Sequence, residues 1–515
     1  MPADSISARP LSSERETARH PDASGLARWL TPSLADVIFC ALLLWLILFT
    51  IYSDGTVGLL LDSNTGYHIR TGDYILSHRT VPRGDIFSFS RPGQPWFAWE
   101  WLSAILFSLC YSAGGFKALV VFSGAIAALA NLILMRHMIW SGANALVTIG
   151  LLHMVAAASS IHYLARPHLF TFLLLAVSLW LIDADRRRPS GRIWLLVPIA
   201  VLWANLHGGF LALLASLAAL AVGFALEGQY ESARRYALLA VACTAATGAN
   251  PYGFAVHAHA IPYLQQKWMI RLVQEFQSPQ FGSPEGRYFE LLLIAGLALS
   301  AQLIARKQYA SALLILAWAH AALNSVRHIP IFGFVVAPML VREATVLWNR
   351  WNPFPPPGSI RSILAGLAAD HTPGLRRSSV WPAALVLSLA LFSFGFAWPA
   401  DFPHGRYPAG LALKHAQLIS GSRIFTTDAW ADYLTFHHYP RQKIFVDGRS
   451  DFFGQEIIEE YLQILKGQQG WDTLMRRYDF NAVLIPSQSA LASLLRVTPG
   501  WILVDADDQA VLFRR

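Results

Sequence analysis

The sequence predicts a polytopic α-helical membrane protein of about eleven spans, with a small α/β domain at its C-terminal end. Three observations predict it. Hydrophobic residues make up 54% of the 515 and charged residues only 14%; a soluble chain carries about a quarter charged residues. Apolar runs recur at close to the roughly 20 residues that a spanning helix needs. Basic residues cluster in short stretches between those runs, as the positive-inside rule describes. That placement accounts for the net charge of +8 without a nucleic-acid partner, and no nucleic-acid-binding motif is visible. The three cysteines, Cys40, Cys110 and Cys243, all lie in apolar runs. They fit small buried hydrophobes better than a disulfide or metal site.

Taken in order, residues 1–33 are polar, with Arg9, Arg15, Arg19 and Arg28 among acids, and read as a disordered cytoplasmic tail. The run 34–53 is too long for a signal-peptide core and no clean small-residue cleavage site follows, so it reads as an uncleaved first span. Residues 54–98 form a long first external loop. Further apolar segments fall at 100–114, 116–135, 143–165, 168–183, 192–209, 211–227, 236–250, 287–305, 309–324, 329–341 and 379–398, completing a transmembrane domain over 34–399.

Loop charges orient these segments. The stretches "DADRRRPSGR" (183–192), "SARRYA" (232–237), "ARKQYA" (305–310) and 342–379 belong on the cytoplasmic face. They agree with one another if each intervening pair of segments crosses out and back. "LHGGF" (206–210), "NPYG" (250–253), residues 254–286 and "NSVRHIP" (324–330) then lie on the opposite face, where the last span delivers 400–515. Full crossing by all three segments between 100 and 165 would put the most basic loop outside. One of them therefore fails to cross, either as a re-entrant segment or because two form one bent helix. Asp62, Arg166, His207, Asn250 and Arg327 then share one face.

The C-terminal 400–515 changes character. "RIFTT" (423–427), "KIFVD" (443–447) and "NAVLIP" (481–486) read as short strands, 454–478 has helical spacing, and 501–515 reads as a hairpin turning at Asp505–Gln509. Strands alternating with helices imply a mostly parallel sheet.

The chemistry concentrates in the first external loop. Asp62 follows the first span; His68, Arg70 and Asp73 follow on a short amphipathic helix; "PWFAWEWL" (95–102) returns to the bilayer. Trp96, Trp99 and Trp101 suit an interfacial aromatic belt. Glu100 among them is costly in lipid unless it faces protein or water. A lone Asp beside a span is commonly just solvated or bound to headgroups, so its neighbours matter. His207 ends an apolar segment beside Asn205, where a capping role competes with a substrate-facing one. Arg327 and His328 precede Pro330 at a helix break, where irregular backbone is tolerated chiefly against a cavity or other protein. "GANPYG" (248–253) reads as a helix end, fixed by Pro251. His257 and His259, at i and i+2, point apart on a helix and make a poor metal pair. No cofactor is expected, with a divalent metal left open. Asp447, Arg449 and Asp451 follow a predicted strand, where an open α/β sheet binds ligands; a locked Asp-Gly turn, docking onto the membrane domain or acceptor recognition is favoured over catalysis.

The long first loop, the acid after span one, the interfacial helix and the aromatic return resemble the GT-C superfamily of membrane glycosyltransferases. More narrowly, "D…GYHIRTGDYIL…VPRGDIFSFS…QPWFAWEWL" looks like a bacterial group of GT-C-like membrane proteins. The resemblance continues through "ARPH" (165–168), "WANLHGGF" (203–210), "NPYG", "EFQSP" (275–279), "VRHIPIFG" (326–333) and "FVDGRSDFFG" (445–454), covering most of the chain. It implies a polyprenyl-phosphate-linked sugar donor, an extracytoplasmic acceptor, inversion at the sugar, and residence in the inner (plasma) membrane. In that superfamily the acid after span one acts on the acceptor nucleophile; the matching residue is Asp62. Attack by a hydroxyl needs a carboxylate to take or polarise its proton, and a leaving phosphate needs cations. Arg70, Arg166, His168, His207, Arg327 and His328 are candidates on the same face, with His68 and Glu100 nearby. The competing readings are a transporter or flippase of lipid-linked glycans, and a non-catalytic assembly protein on the same scaffold. The absence of two related halves and the external α/β domain weigh against transport.

Overall fold

The computed structural model describes residues 25–53, 57–265 and 267–515; most of the expected cytoplasmic tail lies outside them. The chain is a polytopic helical membrane protein. Seven helices among the described residues are long and apolar enough to cross a bilayer, and Gly191–Leu206, Tyr309–Asn324 and Trp381–Leu391 are shorter apolar helices.

The first long helix, Leu34–Tyr52, begins in a reciprocal cap. Ser33 Oγ accepts the Asp36 N–H while Asp36 Oδ2 accepts the Ser33 N–H at 2.7 Å, satisfying two amide donors that a helix start leaves open. Asp36 also accepts from Ser379 Oγ at 2.8 Å. This far end of the bundle gathers the basic side chains. Asp183 meets His137 at 3.0 Å, Arg187 at 3.6 Å and Arg342, and Asp185 pairs with Arg235 at 2.8 Å.

The segments 100–114 and 116–135 form one helix, Trp101–Trp140, broken at Gly114 and Gly115 (φ 62°, ψ −149°). A positive φ is costly for any residue with a Cβ. The first half stays at the end opposite the basic cluster: Ser103 Oγ donates to Leu206 O at 2.6 Å, and Ser108 Oγ to Asp73 at 2.6 Å. The second half runs to His137 at the basic end. A bent helix thus lies where the loop charges require an incomplete crossing.

The loop after the first helix folds into the Asn64–His78 helix. Gly72 allows it to pack closely, since a Cβ there would sit 2.1 Å from Ala104 O. The run 379–398 is helical only over Trp381–Leu391, about 16 Å at 1.5 Å per residue. Residues 392–398 continue without helix and bring Trp398 under Lys117 (5.7 Å to the ring), at the end opposite Asp36. The shortfall follows from Phe394 and Gly395, both at positive φ.

The C-terminal sheet has the order β1-β2-β4-β3 over Ile424–Thr426 (β1), Ala482–Pro486 (β2), Ile502–Ala506 (β3) and Ala510–Arg514 (β4). Only β1 and β2 pair in parallel; β2–β4 and β3–β4 are antiparallel. This corrects the expectation of a mostly parallel sheet. The segment 443–447 is not one of its strands, because its backbone is used elsewhere. Ile444 N–H donates to Phe87 O (3.1 Å) and Ile444 O accepts from Phe89 N–H (2.9 Å), so it grips the first external loop. The hairpin forms as expected, its turn held by Asp507 Oδ1 accepting from Gln509 and Ala510 N–H.

Further contacts seat this unit on the bundle. Tyr407 Oη donates to Leu61 O (2.6 Å) and accepts from Ser63 N–H (2.9 Å). Ser63 Oγ donates to Ala429 O (2.6 Å). Arg449 pairs with Asp85 (2.8 Å) and Asp447 (2.7 Å), and both carboxylates have fully buried side chains.

Candidate functional site

The first-loop helix, the ends of several bundle helices and the C-terminal unit enclose a cavity of about 450 Å³, within the range of ligand pockets. His68, Glu100, Arg166, His168, His207, Arg327 and His328 all line it; of the residues that loop charges place on one face, Arg166, His207 and Arg327 line it and Asp62 and Asn250 do not. Arg70 does not line it. Its guanidinium donates to Phe436 O at 2.6 Å and pairs with Asp73 at 2.7 Å, holding the first-loop helix to the C-terminal unit.

One wall is a chain of ion pairs. Ala165 is stitched to the loop after the first helix: its N–H donates to Leu59 O (2.7 Å) and its carbonyl accepts from Thr65 Oγ1 (2.7 Å). The next residue, Arg166, is thereby aimed between two carboxylates. Arg166 Nη1 donates to Asp62 Oδ2 at 2.8 Å and to the Glu275 carboxylate. Arg327 Nε lies 3.7 Å from the other Glu275 oxygen, with its guanidinium 4.7 Å above the Phe276 ring. Burial alone would discharge this array. Mutual attraction outweighs it: Arg166 is held firmly charged, and Arg166 and Arg327 hold the Glu275 carboxyl well below the usual carboxylate range against desolvation.

Asp62 stands behind this wall. Its Oδ1 accepts the Asn64 N–H at 2.8 Å and its Oδ2 is taken by Arg166. It is not among the residues lining the cavity. The carboxylate shapes the turn into the Asn64–His78 helix and sets the Arg166 guanidinium.

The same cavity carries Glu100, about a quarter exposed, between two imidazoles. His68 Nε2 lies 3.3 Å from one carboxylate oxygen and His207 Nε2 3.3 Å from the other. His207 Nδ1 accepts the Gly209 N–H at 3.0 Å, so the ring proton of the neutral imidazole sits on Nε2, toward Glu100. Thr171 Oγ1, 2.7 Å from the same Nδ1, accepts from Trp203 Nε1 at 2.9 Å and fixes the ring. Burial, with Arg166 and His207 adding to it, pushes His68 well below the ordinary histidine value. Burial also pushes Glu100 up to about 7; Arg166 and Arg327 pull it down, and Asp451 and Glu275 add to the rise.

His168 and His328 sit deeper and are engaged by backbone. His168 Nε2 meets His162 O at 2.5 Å and His328 Nδ1 meets Ala321 O at 3.1 Å. Below them the lining turns apolar, with Leu211, Ala212, Ala215 and Ile331.

Glu275 was not singled out from the sequence; only the three-dimensional chain of ion pairs reveals its part. Asp451 and Arg449, from the polar cluster that follows residues 443–447, reach the chamber from the C-terminal unit. Asp451 meets His259 at 3.2 Å, and the His259 ring stacks on Phe97 at 4.7 Å. Among the described residues no group of three or more His, Cys, Asp or Glu is arranged to hold a metal ion. Asp62 and Glu275 are bridged by the Arg166 guanidinium.

No family model and no curated protein matches the chain. Solved structures do. The archaeal oligosaccharyltransferase AglB from Archaeoglobus fulgidus, solved with an inhibitory peptide and a dolichol-phosphate, aligns at a TM-score of 0.56 and 12% identity, over 90% of this chain and 69% of that one. ArnT from Cupriavidus metallidurans in the apo state aligns at a TM-score of 0.47 and 15% identity, over 95% and 98%. The likeness to AglB shows the fold: the chain shares the architecture of that oligosaccharyltransferase.

Proposed function

We propose that this chain is a membrane glycosyltransferase of the inner (plasma) membrane. It takes a sugar from a polyprenyl-phosphate donor and places it on an extracytoplasmic acceptor. The division into a transmembrane unit over 34–399 and an extracytoplasmic unit over 400–515, and a cytoplasmic N-terminus, belong to the same proposal. The observation that carries it is a single cavity lined by two guanidinium groups, by a carboxylate between imidazoles, and by apolar side chains. AglB, with the same fold, was solved with a dolichol-phosphate, which supports a lipid-phosphate ligand here.

The residues divide the work. Arg166 and Arg327 face the phosphate, where Arg makes bidentate contacts and stabilises the charge that develops as the glycosidic C–O bond breaks. Asp62 and Glu275 hold those guanidinium groups in place. His168, His207 and His328 shape the pocket around the sugar. The acceptor oxygen bonds to the anomeric carbon as the phosphate oxygen departs with the electron pair, in one displacement with inversion.

The test uses protein in lipid nanodiscs and a panel of undecaprenyl-phosphate-linked hexoses and pentoses, with release of undecaprenyl phosphate as readout. Release from at least one donor, falling about 10²- to 10³-fold in Arg327→Ala, is expected. Transbilayer movement of the intact donor without release would establish the flippase reading instead.

A further inference from the structure

We infer that Glu100, rather than Asp62, is the catalytic residue that takes the proton from the acceptor hydroxyl. This rests on the glycosyltransferase reading and moves to Glu100 the step that the family resemblance implies for Asp62.

The argument is one of elimination among the carboxylates at the chamber. Asp62 has both oxygens engaged, by Asn64 N–H and Arg166, and does not line the cavity. Glu275 lies between two guanidinium groups, which stabilise its charged form and so weaken it as a base. Asp451 lines the chamber but is hydrogen-bonded to His259 at 3.2 Å. Among the described residues the ion-pair contacts of Glu100 are the His68 and His207 rings at 3.3 Å, and His68 Nε2 makes no hydrogen bond there. Glu100 holds the N-cap position of the Trp101–Trp140 helix, with no capping bond from its side chain, and lines the same cavity as Arg166 and Arg327. A displacement with inversion then requires the sugar to sit between Glu100 and those guanidinium groups.

Every element around Glu100 presents a titratable or charged group to it. His68 comes from the Asn64–His78 helix and His207 from the end of Leu196–Leu206. Arg166, Arg327 and Glu275 come from the ion-paired wall, and Asp451 from the C-terminal unit. The balance of these groups and burial holds its proton affinity near neutrality, where a general base is most effective. The step is balanced. The acceptor O–H bond breaks and its proton moves to a Glu100 oxygen. The acceptor oxygen bonds to the anomeric carbon, and the phosphate leaves as an anion. Glu100 then returns the proton to water in the chamber.

Two measurements test this separately. With a donor from the panel, Glu100→Gln is expected to lower kcat by about 10²- to 10⁴-fold while the donor KM changes less than about threefold. The wild-type rate is expected to rise through about pH 7 to a plateau, and Glu100→Asp to retain a rising limb. A Glu100→Gln enzyme that keeps its rate, or keeps the acid limb, overturns the assignment while leaving the transferase reading intact. The second measurement needs no substrate. Infrared pH-difference spectra of the nanodisc protein are expected to show a carboxyl band titrating near pH 7 that is missing from Glu100→Gln. Absence of that band in the wild type overturns the assignment. Its presence in a protein that releases no donor leaves the acid–base centre standing and removes the transferase reading.

Discussion

Replacing Glu100 by Gln should make the protein more stable, and only at neutral pH and above. The side chain sits where its carboxyl is raised from 4.5 to about 7, chiefly by burial. A raised acid favours the neutral form in the folded state. Its favourable contribution is therefore complete below about pH 4.5 and is lost as pH rises through about 7. At pH 8 the folded protein must hold Glu100 ionised at a cost set by that difference, about 3 kcal/mol at 1.36 kcal/mol per pH unit. Gln occupies the same volume and removes the charge. The assay is reversible unfolding in mixed detergent micelles at pH 5 and pH 8, wild type against Glu100→Gln. The stability difference should grow by about 2–3 kcal/mol in favour of Gln between the two pH values. A difference independent of pH, or one that favours the wild type at pH 8, would refute the reasoning.

The ion-paired wall predicts non-additivity. Arg166→Met leaves Asp62 and Glu275 facing each other; full burial would cost about 3–5 kcal/mol, and their partial exposure reduces that to about 2 kcal/mol. Arg166→Met with Glu275→Gln should cost less than Arg166→Met alone, measured by the same unfolding curves. Gly72→Ala should destabilise by at least about 1–3 kcal/mol, because its Cβ would meet Ala104 O at 2.1 Å, whereas Gly150→Ala, which meets nothing within 4 Å, should not. Arg449→Met strands the fully buried side chains of Asp85 and Asp447. It should cost about 3–5 kcal/mol and expose the C-terminal unit to limited proteolysis under conditions that leave the wild type intact.

Loop charges were enough to bring Asp62, Arg166, His207 and Arg327 to one face, because the positive-inside rule acts on short loops and does not depend on packing detail. The same rule required an incomplete crossing between 100 and 165. Gly114 and Gly115 account for it, but adjacent glycines in an apolar run do not announce a bend by themselves. Strand 443–447 illustrates the opposite case. Its β-branched and aromatic pattern is that of a sheet strand, yet its partner is residues 87–89, more than 350 positions away, and no local pattern encodes that choice. The engagement of Asp62 by Arg166 was not legible for a related reason. Sequence places an acid at the bilayer edge but not the guanidinium that engages it. Glu275 and Glu100 become distinguishable only through their neighbours: two arginines for one, two histidines for the other.

The most direct test of the account is a cryo-EM map of the protein in nanodiscs with undecaprenyl phosphate bound. The phosphate is expected against the guanidinium groups of Arg166 and Arg327, facing Glu100 across the chamber, with the lipid chain leaving along Leu211, Ala215 and Ile331. A phosphate bound instead at the opposite end of the bundle, among Arg187, Arg235 and Arg342, would contradict it.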